Sequence, residues 1–435
     1  MNYKTGIYLG SNNDESSYED ILSRENTILF ASKVYAEVVP LKHKSALNFF
    51  DEYRVGTYDQ MFNYDIISEV SSDYNLSLLW TRFHRNFRNQ YKTEISRFEF
   101  QVNIIHSSIK FINDHNLKNV YFAYEPHVLP IYIFKKVCIS LKINTATLKV
   151  SPFLNRLFAI NNLNNEVIVN PNYSNFALDE FIKSLVFSKA PVSKNKLKPY
   201  KYPLNASILF NYFFNRYLIK KSVPRKFIFK TNFIVFFLQV QPEMTTLPDG
   251  GIFVNQYEAL KVLSILCEKL DFKLVVREHP DTVKYFNHNW RNRSFIDKIC
   301  SLGDHIIIDD HRKANEEILK RCKGVGTITG TVIGEALLNG IPVITFGDHP
   351  FKGWNGKSLV QFDGNFNNLI SSFKIATQLK KEEILNETES YLSLAYQISF
   401  GGDSKGYEID RENKSLWYNR HKAFIDFIDM VYEEN

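Results

Sequence analysis

Four polar clusters each follow an apolar run that reads as a strand: Gln239-Val240-Gln241-Pro242-Glu243, Arg277-Glu278-His279-Pro280, Asp309-Asp310-His311 and Thr327-Ile328-Thr329-Gly330-Thr331. Gly347-Asp348-His349-Pro350 follows one more. In an open parallel sheet such strand ends share one edge, where helix N-termini present unbonded N–H groups and ligands bind. His279, set directly after a strand and fixed by Pro280, can donate a hydrogen bond or a proton to a phosphate oxygen of a leaving nucleotide; equally, it can cap the loop. Arg277 in the same cluster is a candidate for donor binding. Thr329, Gly330 and Thr331 open a helix and can cradle an anion, or Thr331 can simply cap it. Glu335, one turn on, either accepts from ribose hydroxyls or is an acid favoured by the helix dipole. Gln241 and Glu243 suit sugar hydroxyls or a cytosine edge.

Asp309 and Asp310 have the spacing of a divalent-metal pair, but a turn with a cap is the commoner use, and no metal site is expected. His305, His311 and His349 read as exposed loop residues. No GxxxxGK[ST] loop, no GxGxxG after a strand and no compelling Ser-His-Asp or Cys-His order occurs, which disfavours kinase, P-loop and dinucleotide chemistry. In the first half, Glu125 follows the run Val120 to Tyr124. There a carboxylate is placed as general base or nucleophile, or as a turn residue before Pro126.

The elements that must position these residues alternate as in an α/β protein. Phe233 to Gln239, Lys273 to Val276, Ile306 to Ile308, Gly324 to Ile328 and Ile341 to Phe346 read as strands. Helices fall between them at Asn255 to Leu270, Asn315 to Cys322 and Val332 to Asn339, so a parallel sheet covered on both faces is expected. Earlier, Thr27 to Val34, Asn119 to Tyr124 and Asn144 to Val150 read as strands. Leu76 to His115 and Pro130 to Leu141 read as helices, and an amphipathic helix is expected at Leu416 to Tyr432. With 435 residues, two or three domains are expected. The boundaries read as 1–225, 226–405 and a C-terminal helix over 406–435.

Hydrophobic residues at 44% and charged residues at 23% exclude a largely disordered chain. Four Cys without a CxxC pair argue against a disulfide framework or a zinc site. Met1 to Ser23 is polar, and no run approaches a membrane span, so a soluble cytoplasmic protein is expected. The charge is unevenly spread. From Phe181 to Gln241 there is no acidic residue, while Arg216, Lys220, Lys221, Arg225 and Lys226 follow Phe210, Tyr212, Phe213 and Phe214. This patch suits docking on anionic lipid at the inner membrane, or it is a solvated linker helix. No nucleic-acid fold signature accompanies it, so nucleic acid is not an expected partner.

Taken as a set, Gln241-Pro242-Glu243, the Thr-Thr-x-Pro-x-Gly-Gly run after it, Glu278-His279-Pro280 and the Thr329-Gly330-Thr331 helix start resemble the capsule polysaccharide biosynthesis family, which includes bacterial Kdo transferases. The histidine-proline and helix-start pair also resembles bacterial sialyltransferases and teichoic-acid glycerophosphotransferases. The resemblance covers roughly Phe233 to Gly353. It implies a metal-independent, cofactor-free glycosyltransferase of GT-B architecture, with two Rossmann-like domains facing a cleft. The donor it implies is a CMP-activated acidic sugar such as Kdo, and the acceptor a glycan or lipid-linked glycan. Glu125 sits where related enzymes carry an acidic catalytic residue, although their Glu-Asp-Gly pattern is here Glu125-Pro126-His127. The alternatives are a CDP-glycerol or UDP-sugar enzyme, or a non-catalytic scaffold for glycan assembly.

Overall fold

A computed structural model describes residues 5–8, 27–31, 46–48, 63–73, 75–77, 79, 93–123, 125–126, 129–153, 156–169, 231–239, 249–279, 293–309, 315–401 and 426–431. The first elements are β1 (Thr5–Tyr8), β2 (Thr27–Ala31), β3 (Ala46–Asn48), α1 (Tyr64–Ser71), α2 (Glu94–Asp114), β4 (Asn119–Phe122) and α3 (Leu129–Ser140). Then come β5 (Asn144–Val150), β6 (Arg156–Asn161), β7 (Glu166–Ile168), β8 (Phe233–Phe237), α4 (Gln256–Leu270) and β9 (Lys273–Arg277). They are followed by α5 (Arg293–Cys300), β10 (Ile306–Asp309), α6 (Asn315–Leu319), β11 (Gly324–Thr327), α7 (Val332–Leu338) and β12 (Val343–Thr345). The series ends with β13 (Leu359–Gln361), α8 (Phe366–Gln378), α9 (Lys381–Ile398) and β14 (Phe400–Gly401). The chain divides into two compact units, residues 1–184 with 394–435, and residues 185–393.

The first unit is an α/β layer on a sheet ordered β14-β6-β5-β4-β1-β2-β3, with β7 on β6. Strands β3, β2, β1, β4 and β5 are parallel, while β6 pairs antiparallel with its neighbours. Strand order therefore reverses between β1 and β4, where connections leave in opposite directions, the kind of place at which ligands bind in open α/β sheets. Side-chain alternation on β4 assigns the two faces. Phe122 packs edge-on to Phe134 of α3, which meets Phe111 of α2. Tyr121, on the other face, meets Phe427.

Strand β1, in the polar N-terminal segment where the sequence offers no strand signal, lies inside this sheet between β2 and β4. Residues 394–401, expected in the second domain, belong to the first unit. The reason is visible in the packing: Phe400 is fully buried against Phe427, and Arg156 Nε donates to Ser399 Oγ at 2.7 Å.

The second unit carries a parallel sheet ordered β10-β9-β8-β11-β12-β13. Its strand order reverses between β8 and β11. Helix α4 starts at Asn255, whose side chain accepts from Tyr257 N, and its apolar face (Leu260, Leu263, Leu266, Cys267) joins Ile234, Phe236 and Val276 in the core. Strand β11 reads Gly-Val-Gly-Thr because a Cβ on Gly326 would stand 2.7 Å from Leu263 Cδ1 and 3.0 Å from Phe236 Cδ2. Glycine lets the helix approach that closely. The α/β class expected from the alternation of elements is thus what both units have. Strands β1, β3, β6, β7, β13 and β14 and helices α1, α5, α8 and α9 are additional to those read from the sequence.

Candidate functional site

Beyond the β8/β11 switch point the second unit builds a network of buried amides and hydroxyls. Gln239 Nε2 donates to Thr329 Oγ1 at 3.0 Å, and Thr329 N donates to Gln239 Oε1 at 2.9 Å. From the other side, Gln239 N donates to Gln256 Oε1 at 2.7 Å and Gln256 Nε2 donates to Gln239 O at 2.8 Å. Each polar atom of this bridge is paired, as burial requires. The result ties the end of β8 to the start of α4 and to the β11–α7 corner. Gly330 N is held as well, donating to Thr327 Oγ1 at 3.2 Å.

This changes the anion cradle expected at Thr329, Gly330 and Thr331. Two of its backbone donors, at residues 329 and 330, already bond side-chain acceptors. Nor does Thr331 act as a simple cap: it is exposed and its side chain makes no cap hydrogen bond. Glu335 is half-buried in the first turn of α7. Gln241 and Glu243 lie outside the described residues, as do Arg216, Lys220, Lys221, Arg225 and Lys226.

On the other side of β8, three cross-strand partners form a row. Phe237, Arg277 and Asp309 are in register across β8, β9 and β10. Arg277 NH1 lies 2.6 Å from Asp309 Oδ2, and its guanidinium carbon is 5.9 Å from the Phe237 ring centroid. Arg277 is only 2% exposed. A guanidinium buried and paired in this way locks the strand ends together and does not present itself to a donor, so its expected donor-binding role is corrected. Asp309, as its counter-ion, is likewise not laid out as a metal ligand. His279, two residues beyond Arg277, is half-buried at the same sheet edge.

After β12 the chain turns over this edge. A Cβ on Gly347 would stand 2.6 Å from Asp249 O and 2.7 Å from Thr329 Cγ2, and Asp348 N donates to Asp249 O at 2.7 Å. His349 follows, and it is not the exposed loop residue expected: it is 7% exposed. Its Nδ1 accepts from Phe351 N at 3.1 Å, and burial pushes its pKa down to about 4.

In the first unit Glu125 lies just past the end of β4, at the switch point beside β1, and is buried. Lys135 Nζ from α3 is 2.8 Å from Oε1, and Lys149 Nζ from β5 is 3.4 Å from Oε2. Burial alone would raise the carboxyl pKa; attraction to the two ammonium groups outweighs it and holds the value at about 2. Next to this triad, the Tyr132 hydroxyl donates to Asp73 Oδ2 at 3.1 Å, and Lys136 pairs with the same carboxylate. A carboxylate with so little proton affinity is a poor general base. It can accept a hydrogen bond from a hydroxyl, attack as a nucleophile, or stabilise positive charge.

Lys135 and Lys149 were not singled out from sequence. A signal existed for the first, because α3 (LPIYIFKKVCIS) is otherwise almost wholly apolar. No described group of His, Cys, Asp and Glu has the arrangement of a metal site.

Residues 176–358 match the family described as "Capsule polysaccharide biosynthesis protein", the family that the motifs resemble. The match spans β8 through β12. No curated protein matches the chain. Among solved structures, a β-Kdo 2,7-transferase, KpsC, from Thermosulfurimonas dismutans is 12% identical over 72% of this chain and 88% of its own, with a TM-score of 0.32. UDP-GlcNAc 2-epimerase from Methanocaldococcus jannaschii is 14% identical over 90% of this chain and 99% of its own, with a TM-score of 0.29. At these values the solved structures carry no argument about activity.

Proposed function

We propose that this protein is a glycosyltransferase of bacterial surface polysaccharide synthesis, which takes an acidic sugar such as Kdo from a CMP-sugar and places it on a glycan acceptor without a metal ion. The observation that carries this reading is the coincidence of the capsule-synthesis match with the strand-end edge of the second unit, where the Gln239–Thr329 bridge closes the switch point and His279 stands beside it. In this reading the donor's anomeric C–O bond breaks, the electron pair goes to the phosphate oxygen, and CMP leaves. His279 donates a hydrogen bond or proton to the phosphate, with Thr331, Gly330 and the Gln241 and Glu243 segment around the nucleotide. The acceptor oxygen bonds the anomeric carbon as CMP leaves, and its proton passes to solvent. Glu125, kept ionised by its lysines, accepts a hydrogen bond that orients that hydroxyl; as a nucleophile it would instead bond the anomeric carbon first, as CMP leaves, and be displaced from it by the acceptor oxygen.

No described helix is long and apolar enough to cross a membrane. The basic residues at 216, 220, 221, 225 and 226 supply contact with a lipid-linked acceptor's membrane.

Nucleotide binding followed by turnover tests the proposal. CMP or CMP-sugar should raise the melting temperature where UDP does not, and the wild type should release CMP from CMP-Kdo or a related CMP-ulosonic acid. His279→Ala should lower that release by about 100-fold or more, the scale of a lost general acid. Stabilisation by UDP alone, or unchanged turnover in His279→Ala, sinks the reading.

A further inference from the structure

The loop after β12 holds a second imidazole whose hydrogen-bonding state the fold has fixed. Because His349 Nδ1 accepts the Phe351 N–H, the proton of the neutral ring must reside on Nε2. Among the described residues Nε2 has no hydrogen-bond partner. The ring is only 7% exposed, and Nε2 is not one of the fully enclosed unpaired polar atoms, so this donor opens onto the small accessible face of the residue.

The position of the ring gives that donor a use. The preceding residues, Gly347 and Asp348, pack against Thr329 and Asp249, so His349 belongs to the same strand-end edge as the Gln239–Thr329 bridge. The Asp348–Lys352 pair beside it is self-compensating, and the only influence moving the ring's titration is burial. His349 is thus an uncharged N–H donor through the neutral range, unlike a histidine poised to exchange protons.

We propose that His349 is a specificity-determining residue for the sugar donor, its Nε2–H donating a hydrogen bond to an oxygen acceptor of the bound nucleotide. The proposal rests on the nucleotide-sugar reading above. It gives His349 two separable jobs. Nδ1 shapes the loop by accepting from Phe351, and Nε2 recognises the ligand.

Two substitutions separate the jobs. In His349→Asn the amide oxygen can stand in for Nδ1, but nothing replaces Nε2–H. In His349→Gln the amide nitrogen reaches the place of Nε2. Calorimetric titration with CMP, alongside melting curves, should show His349→Asn folded with wild-type melting but binding CMP at least tenfold more weakly. His349→Gln should bind within about threefold of wild type, even with a lowered melting temperature. In the wild type, the Nε2–H resonance of His349 in a ¹⁵N imidazole spectrum should move when CMP is added. Equal CMP affinity in wild type and His349→Asn, or an Nε2 resonance indifferent to saturating CMP, overturns the proposal while leaving the nucleotide reading intact. A wild type that binds UDP but not CMP sinks the CMP-sugar reading alone: UDP affinity lowered at least tenfold in His349→Asn then supports the role of His349, and unchanged UDP affinity overturns it. A wild type that binds neither nucleotide overturns both.

Discussion

Placing Glu125 between Lys135 and Lys149 removes three charges from most of their hydration, and the attraction among them must exceed that cost for the carboxylate to stay ionised. The arrangement is asymmetric in its consequences. Lys135→Met deletes the partner at 2.8 Å and leaves the buried carboxylate without its shortest ion pair, Lys149 remaining at 3.4 Å. The expected loss is about 3–5 kcal/mol of first-unit stability, the range for breaking a buried pair. Adding Glu125→Gln to that variant removes the stranded charge and should restore part of the loss. Urea unfolding of the two single variants and the double variant measures the coupling; strictly additive effects would mean that the lysines do not hold Glu125. Position 125 was legible in the sequence, as a carboxylate after a strand. Its protonation state was not, because the lysines come from a helix 10 residues later and from a strand beyond it. Position 277 shows the same limit. An arginine among strand-end polar residues looks like a ligand contact until the register puts Asp309 directly beside it.

The elements that could be read from sequence are those whose own residues supply the signal. Strand β8 is apolar throughout and β9 and β10 have unbroken apolar centres (Leu-Val-Val and Ile-Ile-Ile), as buried parallel strands do, and α4 shows its helical stripe together with an Asn cap. Strand β1 shows neither. Its four residues, Thr-Gly-Ile-Tyr, hold a single aliphatic side chain, and its centrality comes from pairing with β2 on one side and β4 on the other. Strand β14, two residues long, is defined by β6 and by Phe427. The turn after β12 was legible as polar punctuation, but not the closeness of its approach. Gly347→Ala tests that approach. Its Cβ would meet a backbone oxygen at 2.6 Å, which cannot swing away as a side chain end can. The loop must shift, at a cost of about 1–3 kcal/mol by the standard of overpacked sites. Because Thr329 lies on the same side, CMP affinity should fall together with stability. A variant with wild-type melting and wild-type affinity would mean that the loop is looser than its packing implies.

Across the whole molecule the two units carry different acid-sensitive groups, and this makes their responses to acid predictable. His349, in the second unit, has its pKa lowered by burial from 6.5 to about 4. Between those values the unfolded chain binds the extra proton and the folded unit does not, so stability falls as pH drops from 6.5 towards 4. Glu125, in the first unit, is lowered from 4.5 to about 2 through Lys135 and Lys149 despite its burial. Its contribution is complete above the unfolded value of 4.5 and disappears as pH falls towards 2. Each shift corresponds to on the order of 3 kcal/mol at about 1.4 kcal/mol per pH unit. His106 and His115 of the first unit are also lowered by burial, so both units should begin to weaken below pH 6.5, the second through His349 and the first through these two, and the first should weaken further through Glu125 below about pH 4.5. Calorimetric melting from pH 7 to pH 3 should show the second unit's loss spent by about pH 4 while the first unit's continues below it. His349→Asn should flatten the second unit's loss without touching the first unit's late one, and Glu125→Gln the reverse. One transition shifting uniformly with pH in both variants would show that neither group governs its unit's response to acid.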